Sequence, residues 1–450
     1  MTTDMTRGAP LRLLVAFSWP LLVGNVIQMA YALADMIIVG RLLGERALAA
    51  VGGVGSTIFV VLGFVFGITA GVAVVTAQRF GAGDPRGVRH SVGTGVWVSA
   101  AIAGAVTLAC WLCVDLILRL LNTPPDVFAE AREYLSVSFL GTPLMVFFNF
   151  QSATLRALGD SRTPLFFLAG ASLLNVVLDI LFISAFDMGV GGAAWATNTA
   201  IFSSALACLL LVTRRLPELR LSLSDWRPRP RMALRQLWIA LPMGLQFSVT
   251  GLGAMVLQAA INTFGVAQMA GMTAARNVEN VACQLPVALG QAMATYAAQN
   301  FGAGRLARIR AGVRASVLIT VACGVVMTAL TLLFGDLFVA AFLRERSAEV
   351  LAVGRRMLWV TAPFFVPLGL IFIFRNTLQG IGRSLLPMLA GFVEMAMRMG
   401  VALGLLHVLG VNAVYWGDPA AWVGAAVLLV VAYWAYSFRW PREREAEPCP

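Results

Sequence analysis

From Val51 to Gln78 the chain carries no charged side chain. A helix needs about 20 apolar residues to cross the roughly 30 Å hydrocarbon layer, and only helices or closed barrels satisfy their backbone hydrogen bonds inside it. Runs like this one, rich in Leu, Val and Ala and without the ten-residue alternation of barrel strands, recur along the whole sequence. They predict an all-α integral membrane protein. Composition agrees, because 59% of the 450 residues are hydrophobic and only 12% charged, against roughly 45–50% apolar residues in a soluble globule.

Reading apolar runs between charged breaks gives twelve candidate transmembrane helices, beginning near Leu13, Val51, Ser91, Tyr134, Leu165, Gly191, Leu237, Gln268, Val313, Met357, Met388 and Ala420. Twelve is even, so both termini lie on one side of the membrane. The chain has no lysine, a bias that a GC-rich genome explains, so arginine alone sets that side. With the N-terminus inside, 22 of the 33 arginines fall in inner segments, 8 in outer loops and 3 (Arg276, Arg375, Arg398) within spans. The positive-inside rule therefore places both termini in the cytoplasm and the protein in the plasma (inner) membrane as a multi-pass chain. Topology and the anionic inner leaflet account for the net charge of +11 without nucleic acid.

The segment Met1 to Arg12 is short and polar, and the span after it is too long for a signal-peptide core and lacks a small-residue cleavage site, so it is expected to be retained. Cys110, Cys113, Cys208, Cys283 and Cys323 lie in apolar spans, where they read as small buried hydrophobes, and Cys449 lies in the tail. His90 and His407 are isolated, and no metal cluster can be built from them.

The chain is written twice. The inner loop Ala77-Gln-Arg-Phe-Gly-Ala-Gly83 returns as Ala298-Gln-Asn-Phe-Gly-Ala-Gly304, shifted by 221 positions, with Arg89 matching Arg310. Arg156-Ala-Leu-Gly159 with Pro164 returns as Gln379-Gly-Ile-Gly382 with Pro387, shifted by 223. Six spans per copy give two halves of the same orientation. The expected organisation is an N-lobe over 1–213 holding helices 1–6, a solvated cytoplasmic linker over 214–236, a C-lobe over 237–438 holding helices 7–12, and a cytoplasmic tail over 439–450. Two pseudo-symmetric six-helix bundles are the plan of alternating access, although duplication also serves channels. In the second span the Gly63, Gly67, Gly71 ladder permits close helix contact, as packing or as a hinge.

An ionisable residue inside a span is expensive enough to suggest function. Glu279 has Arg276 three residues before it and Glu394 has Arg398 four residues after it, so both are expected in structural ion pairs on their own helices. Asp35 and Asp179 have no such partner. Counting about 1.5 Å per residue from the outer ends of the first and fifth spans puts both about 8–9 Å below the outer boundary. Thr197, descending in the sixth span, reaches the same level, and Tyr31 and Asn175 lie one turn before the two aspartates on the same faces. Two unpaired carboxylates in a low-dielectric pocket do not both stay charged unaided. Either one holds a proton or both share a cation such as Na⁺, with Asp35, Asn175, Asp179 and Thr197 as oxygen donors. The structural alternative is capping by neighbouring hydroxyls and amides.

With these residues in view, the sequence resembles the multidrug and toxic compound extrusion (MATE) family over nearly its whole length. The resemblance is carried by Pro20, Asp35-x-x-x-x-Gly40, Ala47-Leu-Ala-Ala-Val-Gly52, Gln78-x-Phe-Gly-Ala-Gly83, Gly159 and Asn175-x-x-x-Asp179. The second half adds Pro242-x-Gly-Leu-Gln246, Gln299-Asn-Phe-Gly-Ala-Gly304 and Glu394-x-x-x-Arg398. It implies a MATE-like fold of twelve helices in two six-helix lobes and export of amphipathic, often cationic compounds against inward H⁺ or Na⁺. It also implies an N-lobe cation site made by Tyr31, Asp35, Asn175, Asp179 and Thr197. Some branches carry a second cation site with acids in the seventh and tenth helices; here those helices have none, so coupling is expected through the N-lobe alone. No cofactor is expected beyond the coupling ion. The expected partners are small amphipathic substrates and the bilayer, with no obligate protein partner and a monomeric chain.

Candidates for a soft, adaptable substrate surface are Met29, Met36, Met243, Met255 and Met293 with Gln28, Gln246, Gln258 and Gln291, though any one Met also reads as core. The competing function is a flippase for lipids or lipid-linked saccharides, whose phosphate would want Arg276, Arg375 and Arg398 free. An enzyme fits poorly, because the loops are short and lack a cluster of catalytic residues, and no Gly-x-x-x-x-Gly-Lys-Ser/Thr motif exists for ATP.

Overall fold

In a computed structural model of the chain the described residues are 3–216, 219–261, 264–343, 347–402, 404–438 and 440; the expected tail, with Cys449, lies outside them except for Trp440. Every regular element among the described residues is helical. The helices are α1 (Pro10–Gly81), α2 (Pro85–Leu112), α3 (Val114–Leu120), α4 (Phe128–Leu140), α5 (Thr142–Ala157), α6 (Arg162–Ile180), α7 (Gly189–Arg215) and α8 (Pro230–Ile261). They continue as α9 (Val266–Gly302), α10 (Leu306–Ala341), α11 (Ala348–Thr361), α12 (Phe365–Gly380), α13 (Leu385–Ala402), α14 (Leu406–Leu409) and α15 (Val411–Ser437).

Nine helical stretches among the described residues are long and apolar enough to span a membrane. The first, α1, has 72 residues, and at about 1.5 Å each it would be more than three times too long for one crossing. Gly44 breaks it at φ 86° and ψ −177°, a conformation open to glycine, so α1 makes the first and second crossings. The more polar pair α4–α5 and helix α9 complete the twelve. Large apolar side chains stay exposed along these helices, among them Phe166 at 72% and Leu333 at 75%, as expected for surfaces solvated by lipid rather than water.

The helices group into two compact units: Met1–Asp4 with Trp19–Gly244, and Met5–Ser18 with Leu245–Pro450. We call them the first and second bundles. These edges differ from 1–213 and 237–438 for two local reasons. In the second bundle Gln299 accepts from the Met5 N–H at 2.9 Å, Asn300 donates to the Met5 carbonyl at 3.1 Å, and Arg308 donates to the Gly8 carbonyl at 2.9 Å. In the first bundle the beginning of α8 lies so close to α1 that a Cβ on Gly67 would stand 2.5 Å from the Met243 carbonyl oxygen, and one on Gly71 2.4 Å from the Ala240 Cα. Gly67 and Gly71 therefore serve packing.

The linker is not simply solvated. Trp97 on α2 donates its indole N–H to the Trp226 carbonyl at 2.7 Å, Gln236 donates to the Ser91 carbonyl at 2.8 Å, and Asp225 meets His90 at 3.2 Å and Arg89 at 3.7 Å. Both Ser222 groups, N–H and hydroxyl, donate to Asp225 and hold its carboxyl below the usual carboxylate range.

The duplication is visible in the backbone. Glycines of positive φ recur in pairs: Gly44 and Gly265 (86° and 87°), Gly83 and Gly304 (66° and 72°), Gly159 and Gly382 (both 82°), and Gly189 and Gly410 (57° and 56°). Their spacings are 221, 221, 223 and 221 positions, so each half bends at the same places.

Candidate functional site

In the first bundle α1 brings Tyr31 and Asp35, α6 brings Asn175 and Asp179, and α7 brings Thr197 into one cluster. The Tyr31 hydroxyl lies 3.2 Å from the Thr197 hydroxyl. The Asn175 carboxamide lies between Thr197 and Asp179; assigned by its hydrogen-bond neighbours, its oxygen accepts from the Thr197 N–H and hydroxyl, both at 3.1 Å, and its nitrogen donates to Asp179 Oδ2 at 2.9 Å. Only this orientation gives both amide atoms complementary partners. Asn175 and Asp179 are almost fully buried, at 1% and 0% exposure.

The carboxyl groups of Asp35 and Asp179 face each other within hydrogen-bonding reach. Two carboxylates are acceptors only, so such a contact needs a proton or a cation between them. The Oδ1 atom of each is buried without a partner, and no arginine pairs with either among the described residues. Tyr134 on α4 belongs to the same neighbourhood, with its phenol in electrostatic reach of Asp35, Tyr31 and Asp179. Sequence reasoning missed it, since a lone tyrosine opening a span carries no signal of its own. Among the described residues no group of three or more His, Cys, Asp or Glu side chains is placed to hold a metal ion.

The second bundle holds a different cluster, spread over α9, α12, α13 and α15. Asp418 accepts from Arg398 Nε at 2.6 Å through Oδ1 and meets Arg276 Nη2 at 3.5 Å through Oδ2. Glu394 takes Arg375 on Oε1 and lies 4.0 Å from Arg398 on Oε2. Glu279 stands beside Asp418, Arg276 and Arg398 with its Oε1 buried and unpartnered. The expected Arg276–Glu279 pair is therefore not the one made, because Arg276 reaches across to α15. The Glu394–Arg398 contact exists, but as the longest in the network. Asp418 was missed because it opens the last span just ahead of Pro419, in what reads as an outer loop.

The MatE family profile matches the chain twice, over residues 20–181 and 242–403. The chain belongs to the MatE family. It is a multi-pass membrane transporter and not an enzyme. Among its relatives, a probable multidrug resistance protein YpnP of Bacillus subtilis (strain 168) is 30% identical, with 85% of each chain covered. The multidrug resistance protein NorM of Burkholderia vietnamiensis is 27% identical over 91% of this chain and 90% of that one. A solved structure of a multidrug resistance MATE family transporter in an outward-facing conformation superposes with a TM-score of 0.90 at 23% identity, covering 98% of this chain and all of that one. Two six-helix bundles are thus the fold of this MatE protein.

The substrate-surface candidates separate by burial. Gln28 and Met36 are exposed and Met29, Met255, Gln258 and Gln291 half-buried. By contrast Gln246 is 1% exposed, its amide oxygen accepting from Gln379 at 2.8 Å, and Met293 is 0% exposed against the Ser316 hydroxyl. Met243 is buried as well. In this structure Gln246, Met243 and Met293 are core residues, with no surface left to meet a ligand.

Proposed function

We propose that the protein is a secondary active antiporter of the inner membrane, with both termini cytoplasmic, working as a monomer by alternating access. It exports amphipathic, often cationic compounds in exchange for inward H⁺, carried by Asp35 and Asp179. The observation that carries this reading is the carboxyl–carboxyl contact with no basic partner. A site of this kind holds one proton between two acids. On losing it, the site bears two negative charges in a buried place, a state that calls for a cation.

With a proton shared between the two acids, Asn175 closes the site by donating to Asp179, the amide orientation that its Thr197 and Asp179 neighbours assign; a bound Na⁺ would take the amide oxygen at that point instead. Exchange of one proton for one monovalent cation moves no net charge, so each pH unit supports about a tenfold accumulation ratio, or about 1.4 kcal/mol. Relatives named for multidrug resistance support the substrate class. The flippase reading loses its support, because Arg276, Arg375 and Arg398 are each engaged by an acid.

The test is efflux of a fluorescent organic cation from proteoliposomes with pH and Na⁺ gradients imposed separately. Efflux driven by the pH gradient in the parent and lost in Asp35→Asn is the expected result. Retention of gradient-driven efflux in Asp35→Asn would sink the proposal, and drive by Na⁺ alone would reassign the ion.

A further inference from the structure

The four pairs of positive-φ glycines allow the two clusters to be aligned position by position. Asn175 stands 16 residues after Gly159, and Arg398 stands 16 after Gly382. Thr197 stands 8 after Gly189, and Asp418 stands 8 after Gly410. The Asn175–Thr197 contact of the first bundle is therefore repeated in the second as the Arg398–Asp418 ion pair. In the same registers Asp35 corresponds to Val256 and Asp179 to Ala402. Where one half has two carboxylates and no cation of its own, the other half has Val256 and Ala402 at those positions and a guanidinium at the position of Asn175.

Resting on the exchange reading for its comparison, we propose that Arg398 is the second bundle's own cation, held covalently at the place where the first bundle exchanges one. Its removal would open a binding site for a small planar cation of the guanidinium class. The surroundings fit that occupant. Arg398 is 7% exposed, is held by Asp418 and Glu394, and has its Nη1 buried without a partner. A Cβ built on Gly253 would stand 3.4 Å from that Nη1, in ordinary contact, so Gly253 lines the space that the flat head of the side chain fills. When all six groups are ionised, the three arginines and three acids of the cluster balance in charge. Truncating Arg398 leaves one negative charge uncompensated in a buried space, with the shape of the lost group.

The experiment is thermal unfolding of purified Arg398→Ala in detergent, with guanidinium, methylguanidinium, urea or sodium added at millimolar, non-denaturing concentrations. Guanidinium should raise the Tm of the variant in a saturable manner and leave the parent unmoved. Urea, with the same shape and no charge, should do nothing, and sodium should do less than guanidinium. Efflux by Arg398→Ala in proteoliposomes should recover with guanidinium in the same concentration range. Equal responses of parent and variant, equal effects of guanidinium and urea, or no saturable stabilisation would overturn the proposal. If Arg398→Ala does not accumulate, it is folded and purified with guanidinium present, which is removed before unfolding; Arg398→Ala with Glu394→Gln, which restores charge balance, should lose the guanidinium response, and an undiminished response there would overturn the proposal. Repeating the unfolding in an Asp35→Asn background separates the two readings. Guanidinium stabilisation should persist there even if the first bundle proves not to couple ions.

Discussion

The two bundles share a backbone and differ in what they bury. The first holds Asp35 and Asp179 with only neutral hydrogen-bonding neighbours in Tyr31, Asn175 and Thr197. The second holds six formal charges that cancel, with Arg398 bridging Asp418 and Glu394. A buried charge is tolerated when a partner compensates it. A compensating partner that belongs to the chain stays put, whereas one drawn from solution comes and goes. The comparison teaches that one backbone can bury acids either beside cations bonded to the chain or with none, and on the proposed reading only the second kind of site exchanges its cation.

The strongest way to break the comparison is to graft one site onto the other. Asn175→Arg gives the first bundle a tethered cation at the register position of Arg398. Gradient-driven efflux should fall by at least about a hundredfold, since one fixed guanidinium beside the two aspartates takes the place of the exchanged proton at an energy of several kcal/mol. Proteoliposome efflux under a pH gradient measures this, and a grafted protein that still responds to pH would remove the premise. Next in size, Arg398→Met alone should destabilise by about 3–5 kcal/mol, while Arg398→Met with Asp418→Leu should recover part of the loss, because the two charges removed cancel and only Arg276 loses its acid. Denaturation in detergent distinguishes additive from compensating effects.

Gly67→Ala tests packing beneath the first site. With the Met243 carbonyl 2.5 Å from the new methyl, the cost should be about 1–3 kcal/mol, seen as a lower Tm. The smallest effect is expected at the linker. Asp225→Asn should cost about 0.5–1 kcal/mol of linker anchoring at neutral pH, read as faster proteolysis near Arg220. Because its carboxyl is held below the usual range, this contribution is present above the unfolded value of about 3.9 and disappears as pH falls through the folded one. Parent and variant should converge in strong acid.

The fold was legible because it rests on patterns that survive without neighbours: uninterrupted apolar runs, arginine at their ends and a repeated Gln-x-Phe-Gly-Ala-Gly motif. Asp35, Asn175, Asp179 and Thr197 were legible because a bare acid in a span is rare enough to stand out, and helix rise alone puts Asp35, Asp179 and Thr197 at one depth with Asn175 a turn away. Arg276 was misassigned because sequence spacing shows only partners on the same helix, and it prefers Asp418 on α15. Gln246 and Met293 were offered to the substrate because side-chain type says nothing of burial. The linker's attachment was invisible because it runs through backbone carbonyls such as those of Trp226 and Ser91, which every residue possesses.

The paired positive-φ glycines have a consequence for ancestry. Two copies of one coding segment have drifted until their buried chemistry is opposite in kind, yet four bends keep their angles to within about 6°. Within this single chain the bends of the backbone are common to both halves and the buried charges are not. A frame of this kind lets the polar contents of one half change by point substitution while its bends stay where they are.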